Sequence, residues 1–146
     1  MKVRTLIAGI GAAAVVASSG LLLTTAASAQ SAPQILKFVT VLQNAVGYSA
    51  TASAAMDEDF STSGTLIGFD VLHFTANPVS GEVTIDAAVV VDGGVIYGKL
   101  TSASPTALPA SGKVTGGTGT FRHAAGTITA VAQSATSSLV TVVFKT

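Results

Sequence analysis

The 146-residue sequence has no cysteine and no tryptophan, only two tyrosines, two histidines and four prolines, and charged residues make up 10% of it. Without cysteine there is no disulfide, no thiolate metal site and no lipid-anchoring cysteine. His73 and His123 are the only histidines. No His-x-x-x-His or His-Glu pair occurs, so a zinc site lacks its ligand set and no metal is expected. With Tyr48 and Tyr97 as the only tyrosines and no tryptophan, an aromatic platform for sugar stacking is disfavoured. Serines abound, but no Gly-x-Ser-x-Gly elbow is present, which argues against a serine hydrolase. Seven basic residues balance seven acidic ones. That balance gives no electrostatic footprint for nucleic acid.

What the sequence does contain is apolar residues, at 49%. Residues 1–29 have the layout of a secretion signal. Lys2 and Arg4 are its positive start, an apolar run covers Leu6 to Leu23, and Ala27-Ser28-Ala29 is a small-residue cleavage site. The expectation is a secreted, extracellular protein whose domain, residues 30–146, is one unit without internal repeats. Removing the leader takes two of the seven basic residues, so the domain carries a slight negative excess. So few charges leave little to cover a solvated surface, and we expect a lined cavity or a contact with another subunit.

The domain reads as strand after strand. Ile35 to Gln43 is apolar on both parities and suits a first strand. Asn44 to Asp59 is rich in small residues and ends in Asp57-Glu58-Asp59. It reads as a strand fragment followed by loop, with a short helix through its alanines as the alternative. Thr65 to Thr75 is a second strand, followed by turn chemistry in Asn77-Pro78-Val79-Ser80-Gly81. Val83 to Val91 has the cleanest alternation, with Val83, Ile85, Ala87, Val89 and Val91 on one face. Asp92-Gly93-Gly94 signals a hairpin into Val95 to Thr101. Ser102 to Ser111, with Pro105 and Pro109, is expected to be irregular or an edge. Thr120 to Gln133 reads as a long strand, Ser134 to Ser138 as a hinge, and Leu139 to Lys145 as the last strand. Seven or eight strands with short connections are antiparallel and sequential, closing as an up-and-down barrel or as a two-sheet sandwich.

Between the proline-containing segment and the long strand lies Ser111-Gly112-Lys113-Val114-Thr115-Gly116-Gly117-Thr118-Gly119-Thr120-Phe121-Arg122-His123-Ala124-Ala125-Gly126. Its glycines suit a tight turn or bulge between strands. It is neither a dinucleotide fingerprint, which needs a third glycine at Arg122 and a following helix, nor a phosphate-binding loop, which ends in Gly-Lys-Ser/Thr. No cofactor is expected. Gly116, Gly117, Thr118, Gly119, Phe121, Arg122, Ala124 and Gly126 resemble the GGTG-x-[FY]-R-x-A-x-G signature of the allene oxide cyclase/dirigent family. Leu66 to Phe74 and Val91 to Gly98 are similar to two further segments of that family, in the same order. The resemblance implies an all-β fold, an eight-stranded antiparallel, calycin-like β-barrel in which Gly116, Gly117, Thr118, Gly119 and Gly126 are structural turn residues. It also implies a lumen open at one end, a hydrophobic small-molecule partner (lipid or phenolic) and a homo-oligomer, frequently a trimer. Two departures stand out. Thr120 and Ala125 occupy positions where some dirigent proteins carry an acid and an arginine, so the barrel can be inherited without the chemistry.

Asp70 is the candidate site residue that the pattern itself exposes. It sits mid-strand among Leu66, Leu72 and Phe74, where a carboxylate is unfavourable unless it is paired or faces a wet cavity. Its bland reading is a structural pair with Arg122 or a lysine. Tyr97, Arg122 and His123 are the other candidate polar anchors for a ligand, against bland readings as a barrel-wall aromatic (Tyr97) and a brace for the glycine turn (Arg122). Asp57-Glu58-Asp59 reads first as a solvated acidic loop, with a carboxylate at a cavity mouth that binds a cation or acts as a general base as the alternative. The expected function is binding of an apolar small molecule in the lumen. An isomerase or cyclase, or a stereo-directing protein acting on a reactive lipid or phenoxy radical, is the alternative, and an extracellular interaction module with a filled barrel is the third reading.

Overall fold

A computed structural model describes residues 32–104 and 108–146. The proposed secretion signal lies outside the described residues. Eight strands follow one another: β1 (Gln34–Ser49), β2 (Ala52–Ser61), β3 (Leu66–Ala76), β4 (Val83–Val91), β5 (Gly94–Ser102), β6 (Ala110–Gly117), β7 (Ala125–Ala132) and β8 (Ser137–Lys145). Each pairs antiparallel with its sequence neighbour, and β1 pairs antiparallel with β8, which closes the barrel. Closure removes both sheet edges and encloses the inward parity of every strand. The sandwich alternative is excluded.

Period-two alternation decides what lies inside. On β4, Val83, Ile85, Ala87 and Val89 are buried, as the sequence pattern requires. Across β5, Ile96, Leu100 and Ser102 are buried, and on β8 Val140, Val142 and Phe144. The turns between β2 and β3, β4 and β5, and β6 and β7 lie at one end of the barrel, together with the starts of β1 and the finish of β8. That end is filled. Phe38, Ile96, Val142 and Phe144 are almost wholly buried there, and the ring of Phe121 meets that of Phe144 edge-on at a centroid distance of 5.7 Å. Among the described residues the opposite end, where the β7–β8 connection lies, is open.

The glycine-rich turn belongs to the filled end. A short 3-10 helix, Gly119–Phe121, joins β6 to β7. Thr118 clamps it to the β4–β5 hairpin: its N–H donates to the Val95 carbonyl at 2.8 Å, and its hydroxyl accepts from Val95 N–H at 3.1 Å. Gly119 takes φ +59°, and a Cβ there would overlap the Gly93 carbonyl.

Three expectations need correction. The segment 44–59 is neither loop nor helix, because β1 continues to Ser49 and β2 begins at Ala52. Register shifts between Leu42 and Asn44 and between Gly47 and Ser49 let β1 bend as it passes beyond β8, and β2 stays paired with it. The strand expected from Thr120 starts only at Ala125, since the 3-10 turn occupies its first residues. Finally, the irregular stretch from Ser102 ends at Ala110, where β6 begins.

Candidate functional site

The open end leads into a cavity of about 550 Å³ that runs down the lumen. Its wall is apolar, with Leu72, Phe74, Ile85, Ala87, Leu100 and Ile128 contributed by successive strands. Small side chains at Ala45, Ala55, Ala87 and Ala130 leave the space that larger residues would fill. The rim is polar and built from the serine-rich β7–β8 connection, where the Ser134 and Ser137 hydroxyls lie 2.7 Å apart, together with Ser102 and Ser104.

Carboxyl groups form the inner end of the cavity. Asp57 and Asp70 both line it, and they are register partners across β2 and β3. Asp59 is two residues beyond Asp57 on the same inward parity of β2. The three are 7%, 2% and 0% exposed for Asp57, Asp70 and Asp59. Asp57 Oδ1, Asp70 Oδ1 and both oxygens of Asp59 have no hydrogen-bond donor among the described residues other than a protonated carboxyl of the same cluster. Such groups are costly to bury as anions, so they hold protons more tightly than usual. Asp70 is pushed up to about 9, first by burial, then by the charges of Asp59 and Asp57 and by a hydrogen bond to Asp59. Asp59 is raised to about 7 by burial and by Asp57, opposed by its hydrogen bond to Asp70. Two ionised carboxylates cannot hydrogen-bond to each other, so that bond exists only while Asp70 keeps its proton and donates it. Burial also raises Asp57, against a hydrogen bond from the Thr40 hydroxyl.

Among the described residues no basic side chain compensates these acids. Lys37, His73, Lys99, Lys113, Arg122 and His123 are exposed, and Lys145 lies on the opposite parity of β8 from buried Phe144. The ion pair between Lys99 and Asp86, 3.5 Å, sits on the outer face. The expected pairing of Asp70 with Arg122 or a lysine is therefore replaced by pairing with two other carboxyls.

Of the four candidate anchors, the structure places only Asp70 in the cavity wall. Tyr97 is 41% exposed because it alternates with buried Ile96 and Leu100 and so faces outward. Arg122 and His123 follow the 3-10 turn at the filled end, exposed and remote from the cavity mouth. The Arg122 side chain makes no hydrogen bond or ion pair among the described residues, and its backbone N–H donates to Gly119 at 3.3 Å. Gly116, Gly117, Thr118 and Gly119 form the end of β6 and the turn that follows, and Gly126 lies in β7 against the backbone of Val143. Asp57 and Asp59 are the site residues that the sequence reading ranked first as a solvated loop. Their signal was the two-residue spacing, which puts both on one face of a strand.

No family model matches the chain, and no curated protein matches it. Solved structures do. The dirigent protein GePTS1, a pterocarpan synthase, superposes with a TM-score of 0.64 at 15% identity, covering 87% of this chain and 94% of that one. The chain has the fold of a dirigent barrel. A pyocyanin demethylase matches with a TM-score of 0.62 at 17% identity, covering 77% of this chain and all of its own. AbnU, an exo-specific intermolecular Diels-Alderase, matches with a TM-score of 0.62 at 8% identity, covering 78% and 98%. The dirigent-type barrel thus carries different chemistries in different proteins, and identity this low speaks for the fold alone.

Proposed function

We propose that the dirigent-type barrel binds an apolar small molecule in its lumen, with the polar end of the ligand against Asp57 and Asp70. The observation that carries this is an open cavity of about 550 Å³ whose apolar wall converges on two buried carboxyls. Its volume lies within the ~300–1,000 Å³ of small-molecule sites, which pair mostly apolar walls with a few polar groups. The filled-barrel interaction module has no such cavity. The test is a neutral apolar fluorophore, N-phenyl-1-naphthylamine. Saturable fluorescence enhancement that is lost when Ala87 or Ala130 is replaced by Phe supports lumen binding. Non-saturable enhancement, or enhancement indifferent to both replacements, contradicts it.

Catalysis is a second reading, favoured by the carboxyl set. An acid that stays protonated beside one that ionises more readily can give and take a proton within one cavity. Three of the structural neighbours bear the names of proteins with a synthetic or demethylating activity. The isomerase or stereo-directing role proposed for this chain would combine such proton transfer with confinement of one conformer. Self-association is part of the same proposal. Met56, Val71, Ala88 and Tyr97 are register neighbours across β2 to β5 and form an apolar row on the outer face, with Phe69 beside it. Sedimentation analysis that finds only monomers at micromolar concentration would remove that element. We place the working protein outside the cell, on the leader-like residues 1–29.

A further inference from the structure

We infer that the lumen selects ligands whose polar end is cationic, an apolar amine or a comparable organic cation, and rejects carboxylates of the same shape. The inference rests on the lumen-binding reading and adds the charge of the ligand to it.

Asp57 and Asp70 line the inner end of the cavity with Asp59 next along β2, and no described residue facing them supplies a positive charge. Their register partners are Leu42 and Thr40 on β1 and Val89 on β4, and Ile128 and Val140 add to the same cavity wall. Among the described residues every lysine, arginine and histidine is exposed or faces away from the lumen. Asp57 Oδ1 and Asp70 Oδ1 belong to side chains more than nine-tenths buried that border the cavity, and neither has a donor. A buried acceptor without a partner is unfavourable, and three adjacent acids repel one another once ionised. A ligand ammonium provides what the protein withholds, namely N–H donors and a compensating charge in a site of low polarity. A ligand carboxylate adds a further negative charge to the same place. The apolar wall sets the remaining requirement, since it offers the hydrocarbon part of the ligand no polar partner.

Protons are conserved in the exchange. At neutral pH the set retains protons on Asp70 and in part on Asp59. Entry of an ammonium favours ionisation of a neighbouring acid, whose proton leaves to solvent. Binding of a cation therefore strengthens as pH rises, while binding of a neutral analogue does not.

The test uses three isosteres, 1-naphthylmethylammonium, 1-naphthylmethanol and 1-naphthoate, titrated calorimetrically against the full-length chain and against Asp70→Asn and Asp59→Asn. The expected result is an affinity for the ammonium about tenfold or more above that for the alcohol at about pH 8, shrinking at about pH 5, with no measurable binding of the carboxylate. Proton release on ammonium binding, read from the heat in buffers of different ionisation enthalpy, is expected as well. The Asn variants, which keep shape and fold, should lose the preference while retaining affinity for the alcohol. Equal binding of ammonium and alcohol overturns the charge selection while leaving lumen binding intact. Binding of the carboxylate as tight as that of the ammonium does the same. Failure of all three, with the neutral fluorophore also unbound, overturns both.

Discussion

Asp57 and Asp70 stand directly across from each other on β2 and β3, both pointing into the lumen, with no basic residue beside them among the described residues. A sheet of this kind would be more stable with two apolar residues at those positions. Retaining an uncompensated acid cluster at the inner end of a cavity is the arrangement expected of a site rather than of a scaffold.

The first prediction concerns stability against pH. Folded-state values for Asp70 and Asp59 are raised to about 9 and about 7, against 3.8 for the ordinary group. The folded protein thus binds more protons than the unfolded chain between those limits, and its stability falls as pH rises from about 4 to about 9. Below that window the penalty is absent, and above it the penalty is complete. Asp70→Asn removes an ionising member and is expected to raise the melting temperature at about pH 8 by roughly 5 °C or more, with little change at about pH 4. Calorimetric melting across the range checks it, and a wild-type profile that climbs from pH 4 to 9 would contradict it.

A second prediction separates the lumen from the outer wall. Ala87 points into open space, so Ala87→Phe fills the cavity instead of overpacking a core. It is expected to abolish fluorophore binding while changing unfolding free energy by no more than about 2 kcal/mol in either direction. Tyr97→Ala, Arg122→Ala and His123→Ala remove exposed groups and are expected to leave fluorophore affinity within about twofold of wild type. A loss of binding in any of these three would return that residue to the site.

The filled end supplies the third. Phe38 is fully buried, and Phe38→Ala should destabilise the protein by roughly 3–5 kcal/mol, measured by denaturant unfolding. A cost under about 1 kcal/mol would mean that this end is not packed as described.

Two glycines provide the fourth. Gly64 and Gly119 both have positive φ, at +87° and +59°, but only at Gly119 would a Cβ meet backbone, the carbonyl of Gly93. Gly64→Ala carries the conformational term alone, about 1 kcal/mol. Gly119→Ala adds a displacement of the β4–β5 hairpin and should cost clearly more, on the order of 2–3 kcal/mol. Equal costs would show that the hairpin yields freely.

The barrel was legible where alternation was clean. Val83 to Val91 marked β4 to the residue, and Asp92-Gly93 marked its hairpin, because a half-polar strand shows its inner face in the sequence. The serine-rich hinge at 134–138 was legible as a connection, though its place at the cavity mouth was not. The acids of β2 were misread for a physical reason. Asp57-Glu58-Asp59 looks like a charge run that seeks solvent, and only closure of the sheet turns two of its three members inward while Glu58 points out to accept from Gln43 at 3.0 Å. Asp70 betrayed itself by its apolar neighbours. Tyr97 misled because a lone aromatic on a strand carries no label for its face, and β5 had too little contrast to supply one.

The central claim is that buried Asp57 and Asp70, with Asp59 next to them, end an accessible cavity without a counter-charge among the described residues. Carbon-13 NMR titration of the aspartate carboxyls, with and without 1-naphthylmethylammonium, tests it most directly. The account predicts that Asp59 and Asp70 titrate well above the ordinary 3.8 and fall when the cation is added. Titration of all three acids near 3.8, unmoved by the cation, would contradict it.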